Sequence, residues 1–222
     1  DTGMKKRKTE SEEKNIYIVA SCNHTLAGRL IRESAKLKFW NRYPGDESSH
    51  ISLSLDEKLD NMRSFARKKP NNPLISGLVA ENIRTGVFSF WPEKSKIAVF
   101  KIPCSAEQYA GIQKTMDEAW KNRNSLKYNF LGLFLMLLIG RGATVKNHYF
   151  CSQWAAEVLK ENGLEFFESV KPCHIRPFDM YSALRKFLVF EGCLMEYPFY
   201  NLTKGDKVLC RDRLHIRYST RS

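Results

Sequence analysis

Apolar and polar residues along this chain alternate in some blocks and recur at helical spacing in others, which predicts a mixed α+β fold. Residues 15–20, Asn-Ile-Tyr-Ile-Val-Ala, form a β-rich run suited to a first strand. Residues 25–37 carry apolar positions at helical spacing behind Thr25, a good capping residue. A Tyr-Pro-Gly-Asp turn at 43–46 leads into a second strand headed by His50. There Ile51, Leu53 and Leu55 alternate with Ser52 and Ser54, the pattern of a half-buried strand. Residues 61–66 should pair back on it. The stretch 68–73, Lys-Lys-Pro-Asn-Asn-Pro, reads as a loop, and further strands are expected at 85–91 and 96–103.

The second half is richer in helix. Residues 105–123 place Tyr109, Ile112, Met116 and Trp120 at spacings of three and four, the mark of an amphipathic helix. Residues 130–139 are apolar apart from Gly132 and are bounded by Asn129 and by Gly140-Arg141-Gly142. That run is far short of the roughly 20 residues a membrane-spanning helix needs. It predicts a buried helix, with a lipid-facing or substrate-facing lid as the alternative. Another helix should open at Cys151 and run to about residue 162, where Gly163 serves as the cap, with Trp154, Ala155, Val158 and Leu159 buried. A short helix at 178–187 and strand-like runs at 188–190 and 207–210 complete the chain. There is no internal repeat.

Composition narrows the class. A chain of 222 residues, 43% hydrophobic and 27% charged, can bury the core of one generous soluble domain. Residues 15–222 are read as that single domain, and residues 1–14 as a disordered, highly charged tail in which Asp1-Thr2-Gly3 is an expression scar before Met4. The formal charge of +12 would attract anionic lipid head groups, acidic cell-wall material or nucleic acid, with basic clusters at 29–42, 63–69 and 204–221. No zinc finger or RNP signature turns that charge into a specific nucleic-acid motif. The six cysteines are scattered without a CxxC pair, and no secretory segment is visible, so free thiols and a cytoplasmic location are expected.

Two residues carry the candidate chemistry. Cys151 stands where an apolar run becomes a helix, and a thiol in a first helical turn meets the positive end of the helix dipole, which favours the nucleophilic thiolate. His50 heads an alternating strand well upstream and is the candidate base. His148, Cys173 and His174 were weighed as metal ligands beside Cys151, but their spacing is poor for chelation, and no metal or other cofactor is implied. Gly140-Arg141-Gly142 lacks the further glycine and lysine of a phosphate-binding loop.

The order of these pieces resembles the circularly permuted members of the NlpC-type papain-like family, the YiiX-like branch in particular, and more distantly lecithin retinol acyltransferase. The matching pieces are Ser49-His50-Ile51-Ser52-Leu53-Ser54-Leu55, Lys127-Tyr128-Asn129-Phe130-Leu131-Gly132, Tyr149-Phe150-Cys151-Ser152-Gln153-Trp154-Ala155 and Pro177-Phe178-Asp179-Met180-Tyr181. The resemblance implies an α+β permuted papain-like fold, with an antiparallel sheet packed against the nucleophile helix. It implies a cysteine hydrolase (an amidase or peptidase) cleaving a cell-wall peptide or N-acyl amide through an acyl-enzyme. A lipid acyltransferase of the same fold and a catalytically inactive module for an anionic surface are the alternatives. By the same resemblance Cys151 is the nucleophile, His50 the base, and Tyr128 or Tyr149 the assisting tyrosine. The family places a polar residue, often Glu or His, on the strand after the histidine. That strand offers Asn61, Arg63 and Ser64, and spacing favours Ser64 to orient the imidazole.

Overall fold

In a computed structural model, which describes residues 13–22, 48–69, 72–85, 88, 92–167 and 169–201, the alternation of the early strands becomes one antiparallel sheet. Six strands stand in the order β4-β3-β2-β1-β5-β8: β1 (Lys14–Cys22), β2 (His50–Ser54), β3 (Met62–Lys69), β4 (Asn72–Glu81), β5 (Lys96–Cys104) and β8 (Leu188–Cys193). β1 lies between β2 and β5, pairing with β5 along its length and with β2 from Tyr17 to Ser21, with Ser21 opposite His50 and Ile18 opposite both Leu53 and Phe100. A second, two-stranded parallel ladder joins β6 (Lys127–Tyr128) to β7 (His148–Tyr149).

Helices cover one face of the sheet. They are α1 (Ala106–Lys121), α3 (Cys151–Glu161) and α4 (Pro177–Leu184), and a further helix, α2 (Phe130–Ile139), lies between α1 and α3 along the chain. Ser105 caps α1 in a reciprocal box with Gln108, an arrangement that stabilises a helix start by about 1 kcal/mol. α3 packs across β2 and β3. Ile16, Ile18, Ile51, Leu53, Phe65 and Phe100 of the sheet meet Ile112, Trp154, Ala155, Val158 and Leu184 of the helices in one core. Trp154 lies tilted against Phe65 with ring centroids 5.9 Å apart. The helix turns off at Gly163, whose φ of +72° lies in the left-handed region that glycine adopts without penalty.

The opposite face is covered as well, by turns. Tyr17, Val19, Met62, Ile97 and Val99 pack under Leu59, Ile83, Phe88, Leu194, Tyr197 and Phe199. This second layer explains a departure from the sequence reading. β2 is not half-buried: all five of its residues are buried, the serines included. Ser54 meets the requirement for a partner by bonding Asp56, and Ser52 by bonding Glu81.

Three further expectations are corrected. The loop expected at 68–73 is largely strand, since β3 runs to Lys69 and β4 starts at Asn72, making a long hairpin. The strand expected at 85–91 is not formed at Thr85 or Phe88, which sit in a bend and a 3-10 turn, with Phe88 fully buried in the second layer. The apolar helix α2 is not buried. Phe130, Leu131, Phe134, Leu138 and Ile139 are 44–65% exposed, while Gly132 and Met136 face inward. The inward side is close: a Cβ on Gly132 would stand 2.4 Å from Asn129 Nδ2 and 2.8 Å from the Ala143 carbonyl oxygen. Among the described residues no helix is long and apolar enough to cross a membrane. The expected helix at 25–37, the turn at 43–46, the strand at 207–210 and the basic clusters at 29–42 and 204–221 lie outside the described residues.

Candidate active site

α3 begins at Cys151 because the chain arrives extended at Phe150, and the Phe150 carbonyl accepts the first helical bond from Trp154 N at 3.0 Å. Phe150 has no polar side chain to cap that turn. The backbone N–H groups at the start of α3 therefore keep their capacity to bind a negative oxygen. The first turn is held from two sides. Ser152 Oγ donates to the Ile175 carbonyl at 2.7 Å, and Gln153 Oε1 accepts from Asn129 Nδ2 at 3.1 Å. Cys151 itself is buried, with 6% of its surface exposed.

The β6–β7 ladder brings a tyrosine to the thiol. Tyr128 pairs with Tyr149, and Asn129 N donates to the Tyr149 carbonyl at 3.0 Å. Asn129 then caps α2, accepting from Gly132 N. Burial, reinforced by the charge of Cys151 and opposed by Arg67, pushes the Tyr128 phenol far above its ordinary range. Its hydroxyl consequently stays protonated and can donate a hydrogen bond. The same comparison separates the two tyrosines: the charges that act on Tyr149 are Glu157 and Glu161, on the flank of α3.

His50 opens β2 and is buried. Its Nε2 lies 3.0 and 3.1 Å from the two carboxylate oxygens of Glu81, and Ser52 Oγ donates to the same carboxylate at 2.6 Å. Glu81 is the last residue of β4, fixed opposite Met62 of β3. Cys151 acts on the same imidazole, through a side-chain hydrogen bond and its charge. Burial by itself would pull the imidazole down, and it is the largest single influence. The Glu81 charge, hydrogen bonds to Cys151 and Glu81, and the Cys151 charge together outweigh it and raise His50 to about 10. His50 is thus an imidazolium at neutral pH, set between a carboxylate and a sulfur.

No protein-family model, curated protein or solved structure matches this chain.

Of the residues singled out from sequence, Cys151, His50 and Tyr128 come together. Ser64 does not serve the imidazole, because its hydroxyl donates to the Ile51 carbonyl at 2.6 Å and the side chain is fully buried there. The imidazole is held by Glu81, which sequence reasoning missed. The signal was present: Leu74-Ile75-Ser76-Gly77-Leu78-Val79-Ala80 is a β-rich run closed by an acidic residue, but Pro73 and the preceding asparagines drew it into a loop. The residues weighed as metal ligands are otherwise engaged. His148 Nδ1 bonds the Lys146 carbonyl at 2.7 Å, and Cys173 Sγ stands 3.7 Å from His174 Nδ1. Among the described residues no cluster of three or more His, Cys, Asp or Glu is arranged to hold a metal ion. The five described cysteines are free thiols; Cys22, Cys104 and Cys173 are buried and Cys193 is half-buried.

The arrangement suits acyl transfer. A thiol stands at the start of a helix with unspent N–H donors. Beside it are a carboxylate-held imidazolium to supply or take a proton, and a phenol kept protonated to donate.

Proposed function

We propose that this chain is a cysteine hydrolase of the permuted papain-like, NlpC-type fold, cleaving an amide bond in a cell-wall peptide or N-acyl substrate. The observation that carries this reading is the buried His50–Glu81 pair with Cys151 acting on the same imidazole. The chain order of histidine strand before cysteine helix, with that helix packed on an antiparallel sheet, supports the fold reading.

The steps follow from the residues. With the proton already on His50, the Cys151 sulfur attacks the acyl carbon. The oxygen that becomes negative accepts hydrogen bonds from the Cys151 backbone N–H and the Tyr128 hydroxyl. His50 passes its proton to the departing nitrogen as the C–N bond breaks, leaving a thioester on Cys151. Water then gives a proton to His50 and attacks the thioester, and the sulfur departs beside the imidazolium as the acid is released, restoring the starting pair. Glu81 stabilises the imidazolium throughout.

A lipid acyltransferase is the second reading, favoured by the exposed apolar side chains of α2 near Tyr128. It uses the same thioester and differs in the acceptor that replaces water.

The deciding experiment is a screen of peptide amides, N-acyl amines and acyl esters with the full chain and with Cys151→Ala, followed by mass spectrometry for an acylated Cys151 peptide. Turnover or acylation that disappears in Cys151→Ala is expected. Turnover that survives the substitution would overturn the proposal, as would iodoacetamide labelling of Cys151 no faster than that of the other cysteines. Adding an amine or alcohol acceptor separates the two readings, since a transferase diverts the acyl group from water.

A further inference from the structure

We propose that the outer face of α2 is a docking surface for an anionic lipid bilayer, into which its apolar side chains insert. The inference does not depend on the thiol chemistry. Phe130, Phe134 and Leu138 follow one another at spacings of four, with Leu131 beside them, so they share one side of the helix. These four, with Ile139 at the helix end, are the large exposed apolar residues of a ten-residue helix. A soluble surface spreads such residues singly; here they are gathered, while Gly132 and Met136 take the inward positions. α2 is thus turned with its greasiest side outward, held there by the Asn129 cap and the close contact at Gly132.

Charge selects the occupant. From Ala119 to Ala156 the chain contains no Asp or Glu, but it contains Lys121, Arg123, Lys127, Arg141 and Lys146. Lys127 and Arg141 flank the two ends of α2, and both are exposed, as is Lys146. An apolar face whose flanking chain carries cations and no carboxylates matches a surface with hydrocarbon beneath and phosphate above. A neutral apolar partner would leave those cations without counter-charges. The helix is too short to span, so its place is in the plane of the interface. Tyr128, two residues before Phe130 and tilted against its ring at 4.9 Å, links this face to the thiol.

The test uses the full chain in co-sedimentation with vesicles of phosphatidylcholine alone and of phosphatidylcholine mixed equally with phosphatidylglycerol. Binding to the mixed vesicles is expected. Phe134→Gln combined with Leu138→Gln should lower it by about tenfold or more, because the inserted apolar area is lost while the cations remain. Cys151→Ser should bind as the unaltered chain does. Circular dichroism and the labelling rate of Cys151 report that the double variant is folded. The proposal is overturned if the unaltered chain ignores the mixed vesicles or if the double variant binds them equally well, leaving the basic surface alone responsible. It is also overturned if the chain is a dimer that the double variant dissociates, which would make α2 a contact between two copies.

Discussion

Glu81→Gln is the perturbation that reads the site most directly. It keeps the shape of the side chain and an oxygen that can accept from His50 Nε2, and removes only the negative charge. Holding His50 at about 10 against an ordinary 6.5 corresponds to roughly 5 kcal/mol in favour of imidazolium, at ~1.4 kcal/mol per pH unit. Glu81 contributes through both its charge and its hydrogen bonds, and Cys151 supplies the rest. Without the charge, burial, the largest single influence, is opposed only by the hydrogen bonds and the Cys151 charge, and the His50 value drops. The imidazole is then neutral at pH 7, and the sulfur loses the cation beside it. The rate of iodoacetamide labelling at Cys151, followed by peptide mapping from pH 5 to 10, should drop by about tenfold or more near pH 7. Stability changes with a defined sign. A raised folded-state value stabilises fully below the unfolded value of 6.5 and loses that stabilisation as pH rises through about 10. The gap between the unaltered chain and Glu81→Gln in denaturant melts should therefore be widest below pH 6.5 and close toward pH 10. The reasoning is refuted if Glu81→Gln labels Cys151 with the original rate and pH profile, or if NMR finds His50 still protonated at pH 8.

Two other substitutions separate roles within the site. Tyr128→Phe removes the protonated hydroxyl near Cys151 and should lower kcat by about 100-fold on any substrate turned over, the usual loss for one oxyanion donor, with iodoacetamide labelling little changed. Tyr149→Phe, whose hydroxyl feels Glu157 and Glu161 instead, should leave kcat within about twofold in the same assay, on the same argument. Ser64→Ala should cost about 1–3 kcal/mol in a urea melt, because the Ile51 carbonyl loses its buried donor, while Cys151 labels as before.

The helices were the most legible part of this chain. Ser105, Asn129 and Gly163 mark their ends by local chemistry, and the structure places boundaries within a residue or two of those marks. β1 and β2 were legible for the same reason, since alternation is local. What the sequence concealed depends on contacts between distant segments. β4 contains Pro73 and Gly77, which look like breakers; β3 pairs with Gly77 through Ala66, and the register shifts across the stretch that holds Pro73. The burial of Ser52 and Ser54 needs the second layer, whose Leu194, Tyr197 and Phe199 lie far along the chain. For the site, Cys151, His50 and Tyr128 could be named from their places on elements. Glu81 could not, because only the register of three strands brings it to Nε2. α2 misled for a plainer reason: hydrophobicity says that a face avoids water but not which surface covers it.

The clasp that follows Glu81 has a consequence for the order of events in folding. Directly after β4, Ile83 N donates to the Leu59 carbonyl, and the Arg84 guanidinium bonds Asp60 together with the backbone carbonyls of Phe199 and Tyr200. The end of the strand that carries Glu81 is thus tied to residues more than a hundred positions later. As the chain leaves the ribosome, Cys151 emerges well before that clasp can close. Contacts of such sequence separation form late, after the loop between them has been ordered. The end of β4 gains this tie only when the last layer docks, so a nascent or proteolytically shortened chain holds Glu81 by strand pairing alone. The full set of ties on that strand end is thereby a property of the finished fold.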